Sequence, residues 1–164
     1  YGKGIWAPSL RYRNGTFYIF SNVNGQTTQI FSATDPKGPW THRAMKKSLH
    51  DLSVLFDDDG KAWVVWGYQT LHIAQLTDDL TDIVPGTEKQ AFTRDAGMGE
   101  GSHFYKIDGK YYIITAWYSG RMKMPAARAD RPDGPYAVNK AIAADEDFGL
   151  NEGNRAGRIR HRRR

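Results

Sequence analysis

Apolar residues in this chain fall in short runs, and none of the runs keeps a helical period. Three segments share one layout: APSLRYRNGTFYIF at 7–20, DLSVLFDDDGKAWVVW at 51–66 and GSHFYKIDGKYYIITAW at 101–117. Each has a serine, an apolar stretch, an Asn-Gly or Asp-Gly pair and then an aromatic-rich run. Asn-Gly and Asp-Gly between apolar runs predict tight hairpins, because the turn needs positive φ. The runs 17–20, 62–66 and 111–117 are apolar on both faces, as expected of strands sandwiched between neighbouring sheets. A third strand is predicted at 29–33, 71–75 and 124–128, with polar turns such as Asp35-Pro36-Lys37-Gly38 closing the units.

The turn glycines Gly15, Gly60 and Gly109 are spaced by 45 and 49 residues, and Gly38-Pro39-Trp40 recurs as Gly134-Pro135-Tyr136 after 96. A repeat of this length, built from four short strands, is the mark of a β-propeller blade. A β-sandwich would not require the echo. The predicted fold is therefore all-β, with three four-stranded blades over residues 1–154. At roughly 48 residues per blade, a five-bladed ring needs about 240. The sequence thus reads as an incomplete ring whose open blade edges are expected to self-associate.

The 164 residues carry 23 basic and 18 acidic side chains, a net of +5. Read as a total, that suggests an acidic partner. Six of the basic residues are Arg155, Arg158, Arg160, Arg162, Arg163 and Arg164. Without them 17 basic (23 less 6) face 18 acidic residues, a net of −1. The body is balanced, so 155–164 reads as a disordered or out-of-frame tail, and no nucleic-acid partner is expected. The absence of cysteine excludes disulfides, thiolate zinc sites and a thiol nucleophile. No apolar run is long enough to span a membrane as a helix, and the N-terminus lacks a signal-peptide layout.

The inner strand of each blade starts near the propeller axis, so residues just before the repeated strands are the candidates for chemistry. Asp51 and Glu100 each stand nine residues before their turn glycine, which places them in the same phase of successive blades. Two carboxylates at one axis can keep one of them protonated near neutral pH, the state a general acid needs. Paired carboxylates are also the apparatus of glycoside hydrolysis. Gly99 and Gly101 would let backbone approach a ligand closely. The competing reading makes Asp51 and Glu100 strand-start caps. Asp57-Asp58-Asp59-Gly60 fails the EF-hand pattern and reads as a solvated turn. The five histidines show no ligand-type spacing, so no protein-built metal site is predicted. Ser9, Ser53 and Ser102 read as backbone hydrogen-bonding residues. Trp6 and Trp117 are the aromatic residues best placed to stack on a sugar.

These segments resemble glycoside hydrolase family 43, a five-bladed propeller family of xylan- and arabinan-degrading enzymes. The carriers are GIWAPSLRYRNGTFYIFS, HDLSVLFDDDGKAWVVWG and GEGSHFYKIDGKYYIITAW, with DFGLNEGNR as a further stretch. The resemblance implies inversion of configuration by three carboxylates. Glu100 then corresponds to the general acid, and Asp51 to the pKa-modulating aspartate that orients the sugar. Trp6 lines the sugar pocket, with Ser102, His103 and Trp117 as further substrate-binding candidates. The family's general base lies one blade before Trp6 and is absent from this sequence. The chain alone is therefore expected to be inactive, and the alternative reading is a non-catalytic sugar-binding or assembly module. The implied activity of the parent is β-xylosidase, α-L-arabinofuranosidase or both, on xylo- or arabino-oligosaccharides. No cofactor is required, and the resemblance allows a central calcium in full-length relatives. The substrate class favours a secreted or periplasmic setting.

Overall fold

The computed structural model describes residues 4–118 and 122–142. The Arg-rich tail and the stretch 147–155 lie outside the described residues. Three four-stranded antiparallel sheets follow one another. The first holds β1 (Ile5–Arg13), β2 (Thr16–Val23), β3 (Gln29–Ala33) and β4 (Thr41–Ala44). The second holds β5 (Ser53–Phe56), β6 (Ala62–Tyr68), β7 (Thr70–Leu76) and β8 (Lys89–Phe92). The third holds β9 (Glu100–Ile107), β10 (Lys110–Tyr118), β11 (Met122–Ala129) and β12 (Ala137–Ile142). In each sheet the strands pair in sequence order, the up-and-down meander of a propeller blade. A short 3₁₀ turn at Arg94–Ala96 precedes the third blade.

Two of the predicted turns are alike and one is not. Asn14-Gly15 and Asp108-Gly109 are two-residue turns with positive φ at both positions, closed by the pairs Arg13–Thr16 and Ile107–Lys110. The second blade instead spans 57–61 between the paired Phe56 and Ala62. There the Gly60 amide donates to the Asp57 carbonyl, and only Gly60 of the Asp-Gly pair has positive φ. Turn glycines therefore do not mark one register in all three blades.

The second blade is buried on both faces. Its alternate residues Val54, Val64, Trp66, Ala74 and Leu76 pack toward the first blade, with Phe20 and Ile30. The intervening Leu55, Val65, Leu71 and Ile73 pack toward the third, with Phe104 and Ile113. Period-two alternation normally gives one polar face. Here Val64 and Val65 are both 0 % exposed, because a sheet lies on either side. The outer blades each leave an apolar face open among the described residues, with Leu10 and Tyr12 on one and Tyr105 and Ile107 on the other.

Polar stitches join the inner strands. The Val54 amide donates to Ser9 Oγ at 3.2 Å, and the Phe104 amide donates to Ser53 Oγ at 3.0 Å. Arg11 reaches across from β1, donating to Ser53 Oγ at 2.7 Å and to the carbonyls of Val54 and Phe104. Burial pulls its pKa below the ordinary arginine value. Nearer the hairpin turns, Asp57, whose side chain is 5 % exposed, joins the second and third blades by accepting from Lys106 and from Tyr111 Oη. Burial opposes ionisation of Asp57, but those hydrogen bonds outweigh it and hold the carboxyl below its ordinary value.

Two expectations follow from this packing. Ile73→Ala should cost about 2–5 kcal/mol in denaturant melts, whereas Leu10→Ala, at a position 57 % exposed, should stay within about 0.5 kcal/mol. Because the Asp57 pKa is depressed, its stabilisation is fully present above 3.8 and fades as pH falls through the lower folded value. Melts at successive pH values should therefore show the gap between wild type and Asp57→Asn closing in acid. A gap that widens in acid would contradict the assigned contacts.

Candidate active site

Asp51 sits in the turn before β5, flanked by the fully buried Leu49 and Leu52. Its φ is +49°, a conformation that is costly for a non-glycine residue. Three features hold it there. The neighbouring His50 carbonyl accepts the Gly67 amide at 2.9 Å, the two leucines anchor the turn in the core, and Asp51 Oδ2 accepts the Gly101 amide at 3.1 Å. The last bond crosses from the second blade to the third.

Glu100 opens β9, opposite Ala116. Its approach is fixed by Gly99, whose carbonyl accepts the Gln69 amide at 3.0 Å and whose amide donates to Thr115 Oγ1 at 3.2 Å. A Cβ on Gly99 would lie 1.7 Å from the Ala116 carbonyl oxygen, so no side chain fits. The two carboxylates end in different environments. The Glu100 side chain is 47 % exposed and that of Asp51 only 11 %. His50 stands between them, with Nε2 at 3.3 Å from Glu100 Oε2 and 3.8 Å from Asp51 Oδ2.

The predicted pair thus converges, though not through equivalent phase. Asp51 precedes its strand, whereas Glu100 is already the first residue of one. The wider second hairpin makes the count to the glycines agree while the registers differ. What joins the two is the Gly101–Asp51 bond and the bridging imidazole. One donor atom from each of His50, Asp51 and Glu100 lies within 4.8 Å of the other two. That is too close for the acid and base of an inverting glycosidase, which stand about 6.5–9.5 Å apart. Asp51 is also shielded beneath the Gly101 amide. The described residues bring no third carboxylate into the cluster. Nor does it suit calcium, which takes 6–8 oxygen ligands, since one of its three donors is an imidazole nitrogen.

The other predicted residues are dispersed. Trp6 is half-exposed at the start of β1, with Nε1 donating to Asn24 Oδ1 at 2.8 Å. It pairs across the strands with Asn22, whose Oδ1 accepts from Ser48 Oγ at 2.7 Å. Trp6 is thereby tied to the segment that carries His50 and Asp51. Ser102 is 4 % exposed, and its hydroxyl has no partner. It does not open onto the surface and does not repeat the Ser9 and Ser53 bonds. His103, not Ser102, stands four residues before the last paired residue of its hairpin, as Ser9 does before Arg13. The His103 ring stacks on Tyr105 at 6.1 Å, and burial, aided by the charge of Arg11, lowers its pKa. Trp117 lines a separate cleft with Ala96, Gly97, Lys123 and Pro125. Two residues at the centre were not singled out from sequence. His50 was signalled only by its adjacency to Asp51, and Arg11 by nothing but its place in the first repeat.

The structure thus shows propeller-type blades with an exposed and a buried carboxylate meeting where two of them begin. Comparison with known proteins supplies the class. The family model described as glycosyl hydrolases family 43 matches residues 1–147, and the chain belongs to that family. It is 34 % identical over 136 residues to a xylosidase/arabinosidase of Butyrivibrio fibrisolvens, covering 70 % of this chain and 26 % of that protein. It is 34 % identical over 147 residues to a non-reducing end α-L-arabinofuranosidase of Bacteroides ovatus, covering 81 % and 27 %. The solved bifunctional GH43-CE protein of Bacteroides eggerthii superposes with a TM-score of 0.79 at 32 % identity, covering 87 % of this chain and 20 % of the other. The chain therefore spans about a quarter of the length of these two curated relatives.

The placement of Glu100 makes Gly99 a sensitive position. Gly99→Ala should force β9 away from β10 and cost about 1–3 kcal/mol in denaturant melts. Wild-type stability in that variant would mean that the two backbones are not in contact there.

Proposed function

We propose that the protein acts in the hydrolysis of xylosyl or arabinofuranosyl linkages, with inversion, as a β-xylosidase, an α-L-arabinofuranosidase or both. Glu100 is the general acid that protonates the leaving oxygen. Asp51 is the buried carboxylate that modulates the acid and orients the sugar, and Trp6 supplies an aromatic wall. The observation that carries this reading is the meeting of an exposed and a buried carboxylate, drawn from two blades, in one cluster. The exposed one is free to reach a substrate, and the buried one is held by a backbone amide. The pentose class is supported by the names of the relatives, which include xylosidases and arabinofuranosidases.

An inverting reaction also needs a base to activate water on the far side of the sugar. The proposal assigns that base to a carboxylate outside the described residues. The proposal requires no cofactor. The open apolar faces of the outer blades favour self-association of the isolated polypeptide, which light scattering would reveal.

The test is hydrolysis of aryl xylosides and aryl arabinofuranosides by the full-length natural protein that carries this chain. Glu100→Gln should lower kcat by about 10²–10⁴-fold. The first-formed sugar, followed by NMR, should have the anomeric configuration opposite to that of the substrate. Undiminished turnover by Glu100→Gln would overturn the assignment, and a product of unchanged configuration would overturn the inverting mechanism.

A further inference from the structure

We propose that His50 is a positioning residue for the acid. It holds Glu100 by one carboxylate oxygen, leaves the other free to carry the proton, and stabilises the carboxylate that remains once the proton has gone. The inference rests on the reading of Glu100 as general acid. Among the described residues, His50 is the one side chain within hydrogen-bonding distance of the Glu100 carboxylate, at 3.3 Å from Oε2. The contact is longer than an ideal bond, as catalytic contacts often are before substrate closes on them. Asp51 cannot serve in its place. An ionised carboxylate only accepts hydrogen bonds, so two neighbouring carboxylates need a donor between them. With the proton on Nε2 the imidazole is that donor, at 3.3 Å from Glu100 Oε2 and 3.8 Å from Asp51 Oδ2.

The backbone keeps His50 in this place. Its carbonyl is bound by the Gly67 amide, and the turn is anchored by buried Leu49 and Leu52. The imidazole itself is 45 % exposed, so it is not retained as core. The Gly101–Asp51 bond fixes the second blade against the third just where the imidazole crosses between them.

The chemistry favours the transition state over the ground state. The proton passes from Glu100 to the glycosidic oxygen as the bond from that oxygen to the anomeric carbon breaks, and the leaving oxygen keeps the electron pair. Water adds to the anomeric carbon from the opposite face and gives its proton to the base carboxylate outside the described residues. Glu100 becomes an anion during this step. A hydrogen bond to a carboxylate is about twice as strong as one to a neutral acid, so the His50 contact strengthens as the barrier is climbed. Its contribution must therefore grow with the leaving group's need for a proton.

That dependence is the test, made on the full-length natural protein with phenyl, 4-nitrophenyl and 2,4-dinitrophenyl xylosides and arabinofuranosides. His50→Ala should lower kcat by about 10–100-fold on phenyl substrates. On 2,4-dinitrophenyl substrates, whose leaving group needs no proton, it should lose less than about 3-fold. His50→Gln, which restores an N–H donor, should recover most of the loss, and KM should change little in either variant. An equal loss on all leaving groups, or none, would overturn the positioning role. Glu100→Ala is measured alongside. If Glu100→Ala shows the leaving-group dependence and His50→Ala does not, only the His50 assignment falls. If Glu100→Ala shows none, or the wild type cleaves no pentoside, the acid assignment falls and takes the His50 role with it.

Discussion

The second blade is the structural centre of this chain, because it is buried on both sides. Val64 and Val65 are adjacent in sequence, point to opposite faces and are both fully buried. Trp6 and Arg11 come from the first blade, His50 and Asp51 from the turn that opens the second, and Glu100 from the third. Their relative positions are therefore set by how sheet packs on sheet, not by the chain that joins them. The packing of Leu55, Val65, Leu71 and Ile73 against Phe104 and Ile113 is what brings Asp51 within reach of the Gly101 amide.

Packing alone would leave a polar deficit along the inner strands. Their inward edges have no further strand to pair with, so buried amides there need other acceptors. Ser9 and Ser53 supply them, and Arg11 satisfies two carbonyls on the other two inner strands. This explains why small hydroxyl residues recur in the repeat. They are joints between blades rather than nucleophiles. The third member, Ser102, breaks the pattern because it stands five residues before the last paired residue of its hairpin, where Ser9 stands four before its own.

The candidate cluster of His50, Asp51 and Glu100 is built on the same joints. Asp51 adopts an unfavourable backbone conformation that the core on either side and the Gly101 amide together enforce. Gly99 admits the close passage of β10 that brings Glu100 to its edge. The result is an asymmetric pair of carboxylates with an imidazole between them, one exposed to a substrate and one withheld. The proposed roles, a proton donor and the group that tunes it, rest on this asymmetry.

Much of this was legible in the order of residues. The three repeats, their strands and the family to which they belong follow from local chemistry: the Asn-Gly and Asp-Gly turns, the aromatic runs and the 45- and 49-residue spacing. These are short-range properties, and a sequence states them directly. The meeting of Asp51 and Glu100 was legible as well, but through a count that agreed only because one hairpin is wider than the others. What the tertiary structure decided is how those residues meet. The burial of Ser102, the bridge made by His50 and the reach of Arg11 across three blades depend on contacts between residues 40 to 100 positions apart. Such contacts arise from the twist and stacking of whole sheets, and no local pattern encodes them.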